Sequence, residues 1–361
     1  MTRLLFISLL VLSGFMPGQT HAQEAIEPRE ADAIIIDIVE HSQLESGLAQ
    51  VIFVAQTPYG EEFHVDTSSS HVTGIGYDLE EGDEVTLQII ESEDGATAYL
   101  DDIHREKGVG WAMLMFAVIA VAVGRWRGLL SLVGLLVTVS ILFFWLFPTI
   151  LSGQDPVMTT VLASIVILGI NMHLSHGLKQ QTFLAFLGTT AGLVLVVVFT
   201  KLFLLLGSLS GLASEEASLL FWETGGAQLP VGILAAGIIL GAVGVLDDIA
   251  ITQSEVVDEL LLANPETSKQ ELFTKAMRIG RHHIASTVNT LVLVYAGAAL
   301  PAFLLFTHGE LTLQAFINNE LVAEEIIRTL AGTCALVLTV PISTWFATLA
   351  PRVVDSNQKA H

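Results

Sequence analysis

Cysteine and charged residues are scarce in this sequence. The chain of 361 residues has a single cysteine, Cys334, so an intramolecular disulfide is excluded and nothing indicates a metal-cysteine site. Only 14% of the residues are charged, against 52% that are hydrophobic, and the mean hydropathy is +0.65. This composition excludes a soluble enzyme and favours a membrane protein.

The acidic residues are concentrated in the first third of the chain. Residues 23–107 contain 21 Asp and Glu residues but only three cations, while the net charge of the whole chain is −22. The remainder is nearly neutral and very apolar, which predicts a small acidic domain joined to a membrane domain. Nucleic acid is excluded as a partner of the acidic domain, because both would carry negative charge.

The first 22 residues have the organisation of a secretory signal peptide. Arg3 is followed by an apolar run over residues 4–15 and then by small residues around a cleavage position after Ala22. The alternative is an uncleaved anchor helix, which is only slightly shorter than the ~20 residues that span a bilayer. In both cases the chain from Gln23 onward is delivered to the extracytoplasmic side.

Short strand-like patterns fill the acidic domain, residues 23–108. Runs of β-branched residues predict strands over 33–39, 50–55 and 84–90, with glycine-containing turns between them. About five strands in this length predict a small β-barrel of the OB type, which would bind a protein partner or act as a gate. Its carboxylates lack the spacing of a calcium-binding EF-hand loop, so we interpret them as a solvated surface.

Seven apolar runs follow and predict a polytopic α-helical membrane domain over residues 109–351. Most of them reach the ~20 residues needed to cross a lipid bilayer. A short cytoplasmic tail, residues 352–361, ends the sequence. The runs cover residues 110–124, 128–147, 157–170, 182–206, 229–251, 284–306 and 326–349.

The positions of the cations predict the orientation of these runs. With the acidic domain outside, the connections that face the cytoplasm and the tail carry nine Lys and Arg residues. The outside loops, residues 208–228 and 307–325, carry acids and no Lys or Arg, as the positive-inside rule requires. The signal sequence and the charge distribution therefore both predict an extracytoplasmic acidic domain and a cytoplasmic C-terminus.

Two adjacent carboxylates, Asp247 and Asp248, lie in the fifth apolar run. An ionised Asp in the middle of a bilayer costs roughly 2.5 to 3.5 kcal/mol, so the pair is not expected to face lipid. We interpret it as a transport site that exchanges protons or binds a cation, with Asp247 as the principal residue. The alternative is that both acids end the span in water, because Asp247 lies roughly 25 Å along a ~30 Å core.

Other polar residues share helical faces with the two acids. The helix is expected to continue past them, so Thr252, Ser254 and Glu255 join the candidate transport site. A polar stripe in the sixth run is expected to face the acids, although the same residues could merely join helices. The stripe consists of His282, Ser286, Asn289 and Thr290.

Three glycines of the fifth run, Gly237, Gly241 and Gly244, share one helix face. Small residues at this spacing let another helix approach closely, so we predict that this face packs against a helix. The partner helix could belong to the same chain or to a second copy, which leaves a homo-oligomer open.

Several segments of the apolar region resemble the YibE/F family of bacterial multi-pass membrane proteins. The resemblance extends from Gly108 to about Pro351 and includes both acids. It implies a polytopic protein of the bacterial plasma membrane and does not name an activity. The segments that carry it are 125–129 (RWRGL), 147–153 (FPTILSG), 188–189 (GT), 240–254 (LGAVGVLDDIAITQS), 280–283 (GRHH) and 287–291 (TVNTL).

A more remote resemblance links residues 244–251 to the Asp-bearing helix of resistance-nodulation-division transporters and of the SecD/SecF translocation motors. In those proteins an intramembrane Asp carries the proton flux, and an extracytoplasmic domain is driven by it. The resemblance implies that Asp247 carries protons. A charged linker and two more spans follow the motif, as in those proteins. The number of preceding spans differs, because four mature spans come before the motif, and the acidic domain is far smaller than the porter domain of such a transporter.

Two classes of function remain open at this point. The first is a permease, or a transport accessory coupled to the proton-motive force, in which Asp247 is the ion site and Asp248, Asn289 and Thr290 tune it. The second is a non-transporting scaffold or sensor that binds a partner through residues 23–108. The sequence has no HExxH, GxSxG or nucleotide-binding motif, so we predict no enzymatic activity, no metal site and no cofactor.

Overall fold

The computed structural model describes residues 29–43, 49–69, 79–92, 95–226, 230–309 and 312–350. The chain divides into two compact units, residues 1–115 and 116–361. The predicted signal peptide and the cytoplasmic tail lie outside the described residues. The domain boundaries at residues 23, 109 and 352 therefore stay predictions.

A five-stranded antiparallel sheet forms the first unit. The strands pair in the order β3-β2-β1-β4-β5, and the long central β1 pairs with both β2 and β4. The three strands predicted from sequence lie inside β1, β2 and β4. The strands are β1 (Arg29–Gln43), β2 (Ala49–Gln56), β3 (Glu62–Asp66), β4 (Glu84–Ser92) and β5 (Gly95–Ile103).

One face of this sheet carries the core of the unit. Along β1, Ala33 and Ile35 are buried whereas Ile34 and Ile36 are exposed, as the two-residue period of a strand requires. The pairing of β1 with β2 shifts register after Ile35 and again after Ile38, and such bulges bend a strand and increase its twist. The sheet is a half-barrel, which confirms a small N-terminal β domain.

Helices make up most of the rest of the described chain. A π-helical turn over Leu142–Leu146 connects the first two of them, and Arg125 interrupts the first with φ 52° and ψ −129°. The helices are α1 (Glu106–Ile141), α2 (Phe147–Leu151), α3 (Pro156–His176), α4 (Gln180–Gly207), α5 (Glu215–Glu223), α6 (Pro230–Ala263), α7 (Lys269–Ala298), α8 (Leu300–His308), α9 (Leu313–Asn318) and α10 (Glu320–Ala347).

Five helical segments in the described ranges are long and apolar enough to cross a membrane. A sixth is obtained if α7 and α8, which are bent by 69° relative to each other, are counted as one span. A polytopic helical protein is thus confirmed. The number of membrane-length segments is smaller than the seven predicted apolar runs, because the first two runs lie in one helical segment. The five segments are Glu106–Leu151, Pro156–His176, Gln180–Gly207, Pro230–Ala263 and Glu320–Ala347.

Helices α4 and α10 pack closely through two glycines one turn apart. A methyl group built onto Gly188 would lie 2.7 Å from Ser343 Oγ, and one built onto Gly192 would overlap the Thr339 side chain. Both glycines are buried, as are Ser343 and Thr339. Close approach of two backbones is the usual consequence of small residues at this spacing. Helix α6 completes the core of the bundle by packing Leu246 against Leu193 of α4.

Candidate functional site

A second row of glycines, on α6, is exposed rather than packed. Gly237, Gly241, Gly244 and Asp248 follow the spacing of one helix face, and all four are exposed. A methyl group on Gly244 would have no atom within 4 Å. The prediction that this face packs against a helix, of the same chain or of a second copy, stays a prediction.

Polar side chains from two other helices lie over this glycine face. A methyl group on Gly237 would be 3.6 Å from Arg328 Nη1 of α10, and one on Gly241 would be 3.1 Å from the Tyr295 hydroxyl of α7. We call the row Gly237, Gly241, Gly244 and Asp248, with Arg328, Tyr295 and His283 beside it, the α6 groove. It extends over twelve residues of α6, and the eleven steps of 1.5 Å between its ends span about 16 Å.

Arg328 of α10 brings a positive charge into this groove. Its Nε lies 3.4 Å from Glu325 Oε1, and both side chains are mostly buried. The preceding Glu324 is 8% exposed, and its Oε1 has no hydrogen-bond partner among the described residues. The sequence places both glutamates among the acids of an outside loop and does not single out Arg328. The available signal was a lone cation one turn after two acids at the start of an apolar run, because ionisable residues are rare in membrane helices.

The two adjacent aspartates of α6 project in different directions. Asp248 is in the groove, with 71% of its side chain exposed and Oδ2 4.0 Å from His283 Nε2. Asp247 is only partly exposed, and its Oδ1 is buried without a hydrogen-bond partner in the described chain. Successive residues of a helix are rotated by about 100°, so the pair cannot act as one two-carboxylate site facing a single partner.

The predicted polar stripe of α7 does not face the aspartates. Ser286, Asn289 and Thr290 are exposed, and the Thr290 hydroxyl donates to the Ser286 carbonyl of its own helix. Buried Leu291, which packs with Ile249 of α6, sets the rotation of α7.

This rotation brings a neighbouring face of α7 to the groove. His283 and Tyr295 lie on this face. His283 comes eight residues before Leu291 and Tyr295 four residues after it, so both project from a similar side of the helix. The sequence interpretation chose His282 instead of His283. The expected roles of Asn289 and Thr290 in tuning Asp247 thus lack a geometric basis in this structure.

A cavity of 620 Å³ lies further along α6, and its α6 lining begins at Ile251, one turn after Asp247. Ser254 and Glu255 line it, as do Asp258 and Glu259, whereas Thr252 does not. Asp247, Ile251, Ser254 and Asp258 follow the spacing of one helix face, so Asp247 lies one turn beyond the α6 residues that line this cavity.

The walls of this cavity carry both signs of charge. The Gln181 side chain donates to Asp258 Oδ1 at 2.9 Å and so links α4 to the acidic wall on α6. Arg127 and Lys179 line the cavity as cations. Helix α4 begins here at Gln180 without a side-chain cap, and uncapped backbone N–H groups attract anions. The cavity lining therefore combines carboxylates, cations and free helix N–H groups.

The family model described as YibE/F-like protein matches residues 112–352. The chain belongs to the YibE/F-like family. As a YibE/F-like protein with at least five membrane-length helices, it is a multi-pass membrane protein. The match includes the α6 groove and the cavity and leaves out the sheet. No curated protein and no solved structure matches this YibE/F-like chain.

Proposed function

We propose that this YibE/F-like protein is a permease, or a transport accessory coupled to the proton-motive force, with Asp247 as its proton or cation site. The observation that carries the proposal is the buried Oδ1 of Asp247, which has no hydrogen-bond partner among the described residues. Placing a carboxylate inside a membrane-spanning helix costs free energy, and such residues in membrane proteins usually mark ion pathways.

The surroundings of Asp247 support a pathway along α6. On one side the α6 groove brings Arg328, Tyr295 and His283 to the adjacent helix face. On the other side the cavity begins within one turn of Asp247, at Ile251. A proton or cation held at Asp247 would thus lie between a polar groove and a charged cavity.

We propose seven membrane spans in the bacterial plasma membrane. The positive φ of Arg125 supports this count, because it interrupts the segment Glu106–Leu151. A methyl group on Gly128 would overlap the carbonyl oxygen of Ala120, eight residues earlier, which requires the chain to fold back at this point. Two spans here, together with α7 and α8 as one, make seven.

We further propose that the sheet is an OB-like barrel on the extracytoplasmic side that gates transport or binds a partner. The strand order supports an OB-like topology, and β3 at one edge lies beside β5 at the other. We also propose no enzymatic activity, because the sequence contains no HExxH, GxSxG or nucleotide-binding motif.

Proton flux into liposomes tests the proposal. Purified protein is reconstituted with a pH-sensitive dye inside, and a potassium diffusion potential drives protons inward. We expect flux above that of empty liposomes and expect Asp247→Asn to lower it by about 10²-fold, the usual effect of removing a positioned proton carrier.

The matched control for this assay is Glu266→Gln, which removes one carboxylate from the exposed loop after α6. It should leave the flux unchanged. Equal flux in wild type, Asp247→Asn and empty liposomes would contradict the proton pathway and favour the non-transporting scaffold or sensor.

A further inference from the structure

A histidine and two glutamates meet where the sheet ends and α1 begins. Glu84 starts β4, His104 follows β5 directly, and Glu106 is the first residue of α1. One ligand atom from each residue lies within 4.8 Å of the other two. His104 Nδ1 is 3.5 Å from Glu106 Oε1 and 3.7 Å from Glu84 Oε2.

The second nitrogen of His104 has partners of its own. His104 Nε2 is 3.1 Å from the Thr86 hydroxyl and 3.4 Å from Asp32 Oδ1. A histidine that binds a metal generally donates its other N–H to a carboxylate or similar acceptor, which orients the ring. Asp32 and Thr86 provide this arrangement and direct Nδ1 towards the two glutamates.

His104 Nδ1 is buried and has no hydrogen-bond partner among the described residues. With the N–H placed on Nε2, the Nδ1 lone pair faces two carboxylate oxygens, and all three atoms are acceptors. A cation between the three acceptors would satisfy all of them. In a tetrahedral zinc site with bonds of about 2.1 Å, ligand atoms lie about 3.4 Å apart, close to the two distances found here.

We propose that Glu84, His104 and Glu106 bind a divalent first-row transition-metal ion such as Zn²⁺, through Glu84 Oε2, His104 Nδ1 and Glu106 Oε1. Water completes the coordination, and Asp32 and Thr86 act as positioning residues. The imidazole nitrogen favours such a metal over Ca²⁺ or Mg²⁺, which prefer oxygen ligands alone. The two carboxylates neutralise the charge of the ion.

Lys107 does not block this site. Its ammonium binds Glu84 Oε1 at 2.7 Å, and the proposed metal ligand is the other oxygen of the same carboxylate. The hydrogen bond from Lys107 lowers the pKa of Glu84 below its ordinary value, so that this ligand is ionised. Glu106 is 67% exposed, which gives the ion a route from solvent and predicts reversible binding.

Zinc binding to the full-length protein in detergent, with any affinity tag removed, tests the site. The free and bound metal are measured by equilibrium dialysis and mass spectrometry. The chain has 11 histidines, which can bind zinc elsewhere. The zinc stoichiometry of each variant is therefore compared with that of wild type and not with zero binding. We expect His104→Ala and Glu106→Gln each to lose one equivalent of Zn²⁺ relative to wild type.

The matched control is His64→Ala, which removes an exposed histidine from β3 in the same sheet. It should retain the wild-type stoichiometry. Asp32→Asn should keep the site but weaken its affinity by about 10- to 100-fold, the usual effect of removing the partner of a metal-bound histidine. Glu106→Gln changes an exposed side chain, so it tests the site even if His104→Ala fails to fold.

Two results would overturn the proposal. One is a wild-type stoichiometry equal to that of folded Glu106→Gln, which would mean that a proton on His104 holds the two glutamates together. The other is binding of Ca²⁺ with higher affinity than Zn²⁺, which would exclude the imidazole as a ligand. Substitution with Co²⁺ provides a second readout, because its visible absorption should require His104.

Discussion

Two glycine rows with similar spacing lie in opposite environments in this protein. Gly188 and Gly192 of α4 are buried against Ser343 and Thr339 of α10. Gly237, Gly241 and Gly244 of α6 are exposed, with polar side chains and open space above them. The first row holds two helices together, whereas the second forms the floor of a groove that leads to Asp248.

The difference lies in the residues that face each row. Ser343 and Thr339 are short, so α10 can approach the backbone of α4 closely. Arg328 and Tyr295 are long, and the ends of their side chains lie over Gly237 and Gly241. Glycine thus shortens a helix contact in one place and widens a polar groove in the other.

The largest effect should come from enlarging the buried row. Gly192→Leu would place a branched side chain where even a methyl group overlaps Thr339, and Leu246 of α6 blocks another direction at 3.2 Å. We expect a loss of about 3 kcal/mol or more in the free energy of unfolding, because an overpacked core cannot relax. Thermal unfolding in detergent measures it, and a melting temperature like that of wild type would show that α10 can move away.

The same substitution in the exposed row should separate stability from transport. Gly241→Leu would fill the α6 groove beside the Tyr295 hydroxyl, so proton flux in liposomes should fall to a small fraction of the wild-type value. The free energy of unfolding should change by less than about 1 kcal/mol, as is usual for exposed positions. Normal flux in this variant would mean that the groove is not part of the pathway.

A smaller effect is expected from the charge beside the groove. Arg328→Gln removes the partner of Glu325 while keeping a long polar side chain over Gly237. We expect flux to fall several-fold and the free energy of unfolding to fall by about 1 kcal/mol, because the pair is partly solvated. Glu223→Gln, an exposed acid at the end of α5, is the control for a change in charge alone.

Sequence patterns predicted the strands, the helical membrane region and the family in this chain. They also located Ser254 and Glu255, which line the cavity, because the helical spacing after Asp247 could be followed residue by residue. They could not determine the rotation of α7, since that depends on Leu291 packing against Ile249 of another helix. This is why His282 was chosen in place of His283.

The two glycine rows show the same limit of sequence reasoning. Spacing identifies a face of small residues, but its environment depends on the helix opposite. Gly188 belongs to a segment that carries the family resemblance, yet nothing in that segment reveals Ser343 as its partner. Arg328 and Tyr295 likewise come from helices distant in sequence, so only the fold brings them to α6.

The smallest effect, and the sharpest comparison, is expected at Gly244. A methyl group there meets no atom within 4 Å, so Gly244→Ala should leave both the groove and the proton flux unchanged. It should raise the free energy of unfolding by about 0.5 kcal/mol, because alanine loses less backbone entropy than glycine in a helix. Gly188→Ala gives the matched comparison, since its methyl would lie 3.0 Å from the Ser343 backbone and should be destabilising. If Gly244→Ala were instead destabilising, a second helix would have to cover this face, and a second copy of the chain would be the first candidate to test by measuring the oligomeric state of both variants.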